Sequence, residues 1–178
     1  ANTCPAAIDL PALVSVGGEV WMRCEHVMAE DPRVSVSLDA LVSHPLIRLE
    51  GPMTSLSMAA LQTVGALKVE GPWGSDTPDP LPAAAFDDVA LSFPALQSAG
   101  SISLARLGRV DVAASFPALV EAETLSLRWM RPAPTAPFPG VPARTLLVDH
   151  SEVAATLSIA GPAAVDLPTS AFGGAVSV

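Results

Sequence analysis

The chain has 178 residues, of which half are hydrophobic but only 4% aromatic, and it carries a formal net charge of −9. This length allows one domain with a sizeable core. The acidic balance argues against nucleic-acid binding, which needs a basic surface, and against adhesion to anionic lipid. No apolar run approaches the roughly 18 residues of a membrane span, so the sequence predicts no membrane insertion.

Both cysteines, Cys4 and Cys24, lie near the start of the chain, which begins with alanine rather than methionine. Such a start is typical of a processed, exported chain or of a trimmed one. For an exported chain we expect a Cys4–Cys24 disulfide that pins an N-terminal cap over about residues 1–32. Two buried free thiols are one alternative. A metal site with His26 is another, but it has no apparent fourth ligand.

The phrase "AIDLPALVSVGGEVWM" at 7–22 returns near the other end of the chain as "AVDLPTSAFGGAVSV" at 164–178. Similar words recur between them at a basic step of about 20 residues, which divides the chain into seven units. Each unit holds two short runs of alternating polarity, a pattern typical of strands buried on one face. In the second runs, the predicted inward pairs are Val20/Met22, Ile47/Leu49, Leu67/Val69, Ile102/Leu104, Leu125/Leu127, Leu157/Ile159 and Val176/Val178.

The first run of each unit ends at an anchor residue that we expect in the core. These anchors are Leu10, Leu38, Met58, Phe93, Phe116, His150 and Leu167. The residues before them are all polar, which predicts an outward direction: Asp9, Ser37, Ser57, Ser92, Ser115, Asp149 and Asp166. A unit of two strands cannot bury its own apolar side, whereas stacked coils cover one another. The sequence therefore predicts an all-β fold, a right-handed β-solenoid of about seven coils in a single domain over 1–178.

Two proline-rich insertions, at about 72–86 and 130–143, interrupt the rhythm. Both follow a second strand, so we expect them at the same corner. Insertions on one edge of a repeat protein often form its binding face, although tolerated decoration is the alternative. Trp73 and Trp129 lie at or beside the insertions, and Trp21 lies on the outer strand face. These three tryptophans are the predicted partner-binding residues; the alternative is that they cap the edges of the coils.

Few residues suggest chemistry. The triplet "DHS" at 149–151 cannot form a catalytic relay, because adjacent residues in a strand point to opposite faces. His44 lies in a predicted corner, "SHP", and is expected to be exposed.

The acidic residues around the first insertion match no calcium-loop spacing: Asp76, Asp79, Asp87 and Asp88. A serine-rich outer row is too irregular for an ice-binding ladder. We expect no metal, no cofactor and no enzyme activity; a carbohydrate-active β-helix enzyme is a weak alternative, since no paired acid and base is visible.

The phrases "LPALVSVGGEVWM" at 10–22 and "FPALQSAGSISL" at 93–104 resemble the receptor L-domain. This is the leucine-rich-repeat-like β-helix of insulin- and epidermal-growth-factor-receptor ectodomains, and similar repeats occur in fungal and bacterial cell-surface proteins. With the weaker units, the resemblance spans nearly the whole chain. It implies an extracellular domain without catalysis. The chain lacks the receptors' cysteine-rich modules and has few large aromatics, so hormone binding is not expected and no functional residue transfers.

The expected role is a secreted or cell-surface module for adhesion or recognition, binding a protein or glycan partner. The alternative is a structural subunit that assembles head to tail into filaments through open solenoid ends. That alternative follows from the last strand, which stops at Val178 without a polar cap. Val176 and Val178 are then the predicted end-stacking residues.

Overall fold

The computed structural model of the chain describes residues 5–24, 33–72, 88–128, 131–132 and 143–149. It also describes short strands at 152–153, 157–158, 164–166, 171–172 and 176–177. In these residues most of the regular structure is β-strand. The strands lie in two principal parallel sheets, one small and one large, and the chain alternates between the two sheets up to residue 105.

The small sheet has four parallel strands: β1 (Ala7–Asp9), β3 (Val34–Ser37), β5 (Met53–Ser57) and β7 (Ala90–Ser92). The large sheet has seven: β2 (Val20–Arg23), β4 (Ser43–Glu50), β6 (Thr63–Glu70), β8 (Ser98–Ala105), β10 (Glu121–Arg128), β12 (Ala143–Asp149) and β15 (Ala164–Asp166). In both sheets these strands are neighbours in the order given.

Three two-stranded parallel sheets and one helical turn complete the regular structure of the described residues. The pairs are β9 (Arg109–Val110) with β11 (Arg131–Pro132), β13 (Glu152–Val153) with β16 (Ala171–Phe172), and β14 (Leu157–Ser158) with β17 (Val176–Ser177). The helical turn is α1 (Val112–Ser115).

One cluster of buried side chains takes residues from both principal sheets. The inward pairs predicted for β4, β6, β8 and β10 are confirmed, because all eight side chains are 0–1% exposed. The anchors Leu38, Met58, Phe93 and Phe116 are also buried. Alternation with a period of two therefore places the apolar face of each of these strands in the core.

Two positions in this pattern were predicted wrongly. The anchor Leu10 is 45% exposed, because it follows β1, the end strand of the small sheet, and no described strand covers it from the other side. Ser115 was expected to point outward, but it is buried in α1 and its hydroxyl donates to the carbonyl of Asp111 at 2.6 Å.

The predicted right-handed β-solenoid of about seven coils is wrong. The described strands form open parallel sheets of unequal width, and neither principal sheet closes on itself. The small sheet ends at β7, because the next unit supplies α1 in place of a strand. The local sequence favours that turn: the Asp111 carboxylate accepts from the amide of Ala114 as an N-cap, and two alanines follow Val112.

The registers predicted for the first runs of the last two units are also wrong, whereas their second runs pair as predicted, with Leu157 beside Val176. Residues 146–148 were expected as a first strand, but in β12 they pair with β10 in the large sheet, with Leu146 beside Leu125. Likewise, β15 pairs with β12, which places Asp166 beside Leu147. The alternating run of β12 therefore extends the large sheet, in which its backbone forms parallel hydrogen bonds with β10.

Candidate functional site

The outer face of the large sheet carries the arrangement that most resembles a binding surface. One register row crosses five of its strands in order: Trp21, Arg48, Lys68, Ser103 and Ser126. Neighbouring strands in a sheet are about 4.8 Å apart. These side chains therefore form a continuous outward line, as the sequence predicted; we call this row and the one beside it the Trp21 face.

The second row of the Trp21 face contains two glutamates among basic residues. It runs through Arg23, Glu50, Glu70, Ala105 and Arg128. The Glu50 side chain is only 4% exposed, and that of Glu70 only 10%. Both carboxylates therefore lie low in the face, beneath the longer basic side chains.

Each glutamate holds the basic side chain that stands two residues before it. Arg48 donates from Nε to Oε1 of Glu50, and Lys68 Nζ lies 3.1 Å from Oε1 of Glu70. The other oxygen of Glu50 is 3.6 Å from Arg23 Nε, so this carboxylate forms ion pairs with two arginines. These pairs restrict the basic side chains of the face, although half-exposed ion pairs contribute little stability by themselves.

Trp21 is the exposed aromatic residue of this face. Its side chain is 56% exposed, and the guanidinium carbon of Arg48 lies 5.8 Å from its ring centroid. This is the distance of a cation–π contact. The hydrogen bond to Glu50 raises the pKa of Arg48 above its usual value, so the guanidinium stays charged. The face thus presents an apolar ring beside a fixed cation that can donate to an acidic group.

Trp21, Arg48 and Lys68 each lie between the two residues of a predicted inward pair, so alternation predicts all three on the outer face. The two glutamates were not predicted as part of this face. A signal for them was present in "RLEGP" at 48–52 and "KVEGP" at 68–72. Residues two apart in a strand lie on the same face, so each basic residue meets the glutamate that follows it. Because the pattern occurs in both β4 and β6, it indicates one ion pair on each of these neighbouring strands.

Several of the predicted site residues lie outside the described residues: Cys4, Trp73, Trp129, Val178, most of the two insertions, and His26 with the N-terminal cap beyond Cys24. Cys24 follows β2 and is partly buried against the core. Val176 lies in β17, where its backbone pairs with Leu157 of β14. The disulfide, the partner-binding role of the three tryptophans and the end-stacking role of the valines stay predictions.

The prediction that His44 is exposed is wrong. Its side chain is 4% exposed, because it lies in β4 at an inward position beside Val64 of β6. Its Nδ1 accepts a hydrogen bond from the amide of Leu46 at 3.2 Å. This histidine is therefore part of the interior of the fold and has no place on the Trp21 face.

The outer face of the small sheet has a separate polar cluster around Asp39. One oxygen of Asp39 accepts from the hydroxyl of Ser57 at 2.6 Å and from the amide of Ala59 at 2.9 Å. The other accepts from the hydroxyl of Ser37 at 3.1 Å. The hydrogen bonds from Ser57 and Ala59, with a smaller contribution from Ser37, lower the pKa of Asp39 below 3.8, and desolvation only partly opposes them.

Asp39→Asn is expected to lower the free energy of unfolding by about 1 kcal/mol at neutral pH. A carboxylate whose pKa is lowered by folding stabilises the fold above its unfolded pKa of 3.8, and that stabilisation is lost as the pH falls through the folded value. Urea unfolding at several pH values should show the difference from wild type shrinking below pH 3.8. Glu123→Gln, the same kind of substitution at an exposed position on β10, is the control and should change the free energy of unfolding at neutral pH by no more than about 0.5 kcal/mol.

Two classes of site have no support in the described part of the chain. No group of three or more His, Cys, Asp or Glu side chains there is placed to bind a metal ion. Among the same residues, no helix is long and apolar enough to cross a membrane. The arrangement that remains is the aromatic and charged surface of the Trp21 face.

Comparison of the chain with models of protein families, with curated proteins and with solved structures gave no match. The resemblance to receptor L-domains therefore stays a prediction from the two quoted phrases.

Proposed function

We propose that this chain is a noncatalytic recognition module of an exported or cell-surface protein, and that it binds a protein or glycan partner through the Trp21 face. The observation that carries the proposal is the exposed ring of Trp21 beside the fixed guanidinium of Arg48. The resemblance of two phrases of the sequence to L-domain repeats supports the same role.

The side chains of the Trp21 face suit binding, because they are held in place before a partner arrives. Trp21 and Arg48 project from neighbouring strands of one sheet, and Glu50 fixes the arginine from below. Little side-chain freedom would be lost on binding, which favours affinity. Exposed tryptophan and arginine are also the residues that most often dominate binding energy at interfaces.

The charge of the face indicates what the partner presents. The chain as a whole carries −9, but the Trp21 face gathers Arg23, Arg48 and Lys68 around two buried glutamates. An acidic group on the partner would meet the basic side chains, while a sugar ring or an apolar side chain would stack on the indole. We therefore propose an acidic glycan or an acidic protein surface.

Trp21→Ala is expected to weaken binding to such a partner at least about tenfold, since it removes the apolar ring of the site. Glycan microarrays that include uronic-acid and sialic-acid sugars, with an array of acidic surface proteins, would measure this. Val42→Ala is the control: it shortens another exposed apolar side chain and should leave binding unchanged.

The same arrays separate this face from the predicted insertion edge. If Trp73→Ala or Trp129→Ala abolishes binding while Trp21→Ala does not, the contact lies at the insertions and the assignment to the Trp21 face is wrong. Equal binding by all three variants and by wild type would contradict a tryptophan-centred site altogether.

A further inference from the structure

The first strands of both principal sheets lie at the same end of the fold. β1 and β2 each pair with a described strand on one side only. Five large apolar residues are exposed among the described residues, and three of them lie in β2 or between β1 and β2: Leu10, Val14 and Trp21. An end strand with exposed apolar neighbours is a template on which another strand can pair.

The backbone of β2 shows which of its residues would face a new strand. The amide of Cys24 donates to the carbonyl of Glu50 at 2.9 Å, so Cys24 turns its backbone groups toward β4. Backbone direction alternates along a strand. Trp21, three residues earlier, therefore turns its N–H and carbonyl toward the open side of the sheet.

The side chains around Trp21 are self-complementary. Trp21 and Arg23 share the outer face of β2, and Glu19, directly before the strand, continues the spacing of two. Glu19 and Arg23 carry opposite charges two residues to either side of the tryptophan. If two copies of β2 run antiparallel with Trp21 opposite Trp21, each Glu19 lies opposite the Arg23 of the other copy. On the inner face, Val20 then lies opposite Met22. Opposite charges, aromatic pairs and apolar pairs are the cross-strand contacts that stabilise antiparallel strands.

We propose that the chain forms a symmetric dimer in which β2 pairs antiparallel with β2 of a second copy, centred on Trp21. The inference goes beyond the proposed recognition role and does not depend on it. Such an interface is isologous and closes at two copies, so it differs from head-to-tail growth into filaments. It would also join the two large sheets into one and place two tryptophans side by side on the outer face.

The test is sedimentation velocity of the full chain over a concentration series, with the variant Glu19→Arg. Wild type should show a reversible monomer–dimer equilibrium. In the dimer, Glu19→Arg would replace each of the two Glu19–Arg23 pairs by a pair of arginines. The variant should therefore raise the dimer dissociation constant by about tenfold or more. Glu123→Arg makes the same charge change at an exposed position of β10, inside the sheet, and should leave the constant at the wild-type value.

A charge-reversal partner makes the test specific for this register. Arg23→Glu alone should also weaken the dimer, but a mixture of Arg23→Glu with Glu19→Arg should form a heterodimer, because each arginine then meets a glutamate. If circular dichroism shows that Arg23→Glu does not fold, Trp21→Pro replaces it: it removes the outward N–H at an edge position where proline is tolerated, and it should give a monomer. A wild type that stays monomeric to its solubility limit, or a dimer that Glu19→Arg leaves intact, would overturn the proposal.

Discussion

Phe93→Ala is expected to lower the free energy of unfolding by about 4 kcal/mol. Phe93 is 0% exposed, and its ring stacks on Phe116 with the centroids 4.9 Å apart. Only 4% of the chain is aromatic, so few large side chains can move into the cavity that would remain. Urea unfolding followed by circular dichroism measures the loss.

The control for this substitution is Val120→Ala, which shortens an apolar side chain that is 69% exposed. Its free energy of unfolding should stay within about 0.5 kcal/mol of wild type. A Phe93→Ala protein that loses no more stability than Val120→Ala would show that the stacked pair does not lie in the core.

Gly71→Ala is expected to destabilise the fold by about 3 kcal/mol, or to prevent it from forming. A Cβ at this position would overlap the carbonyl oxygen of Arg106 and lie 2.8 Å from its carbonyl carbon. These are backbone atoms and cannot rotate away. The amide of Gly71 also donates to Ala105 at 2.8 Å, which ties the glycine to β8. The midpoint of thermal unfolding and the yield of folded protein would both show the effect.

Gly17→Ala is the matched control, because nothing lies within 4 Å of a Cβ at that position. The same substitution should there change the free energy of unfolding by no more than about 0.5 kcal/mol. Equal losses at the two positions would show that the close approach to Arg106 does not cause the destabilisation.

Alternation of polar and apolar residues was sufficient to predict the strands of the first four units, the second strand of the fifth, and most of their core. Leu49 and Leu127 were placed correctly because a strand has only two faces. Alternation does not say which sheet a strand joins, and so the run of β12 was given to the wrong row. It also does not distinguish an end strand from an inner one, which is why Leu10 was expected to be buried.

The outward position of Trp21 could be read from the sequence for the same reason. The alignment of the units also placed Arg48 beside Trp21 on the neighbouring strand. The cation–π contact could not be read from the sequence, because it depends on the conformations of the two side chains. The burial of Glu50 and Glu70 was hidden by their charge, since ionised side chains are rarely buried unless they are paired. The "RLE" and "KVE" words identify those pairs once the strands are known.

The parallel register also has a consequence for how the chain folds. Adjacent members of the Trp21 row are far apart in sequence: Arg48 and Lys68 differ by 20 positions, and Lys68 and Ser103 by 35. Each strand of the large sheet must therefore close a loop before it gains its neighbour, which slows folding relative to hairpin-based sheets of similar size. Once two strands have paired, each further strand can form its hydrogen bonds with a strand that is already in the sheet. Amide hydrogen exchange should consequently be slower in β6 and β8, which have a strand on both sides, than in β15 at the end of the sheet.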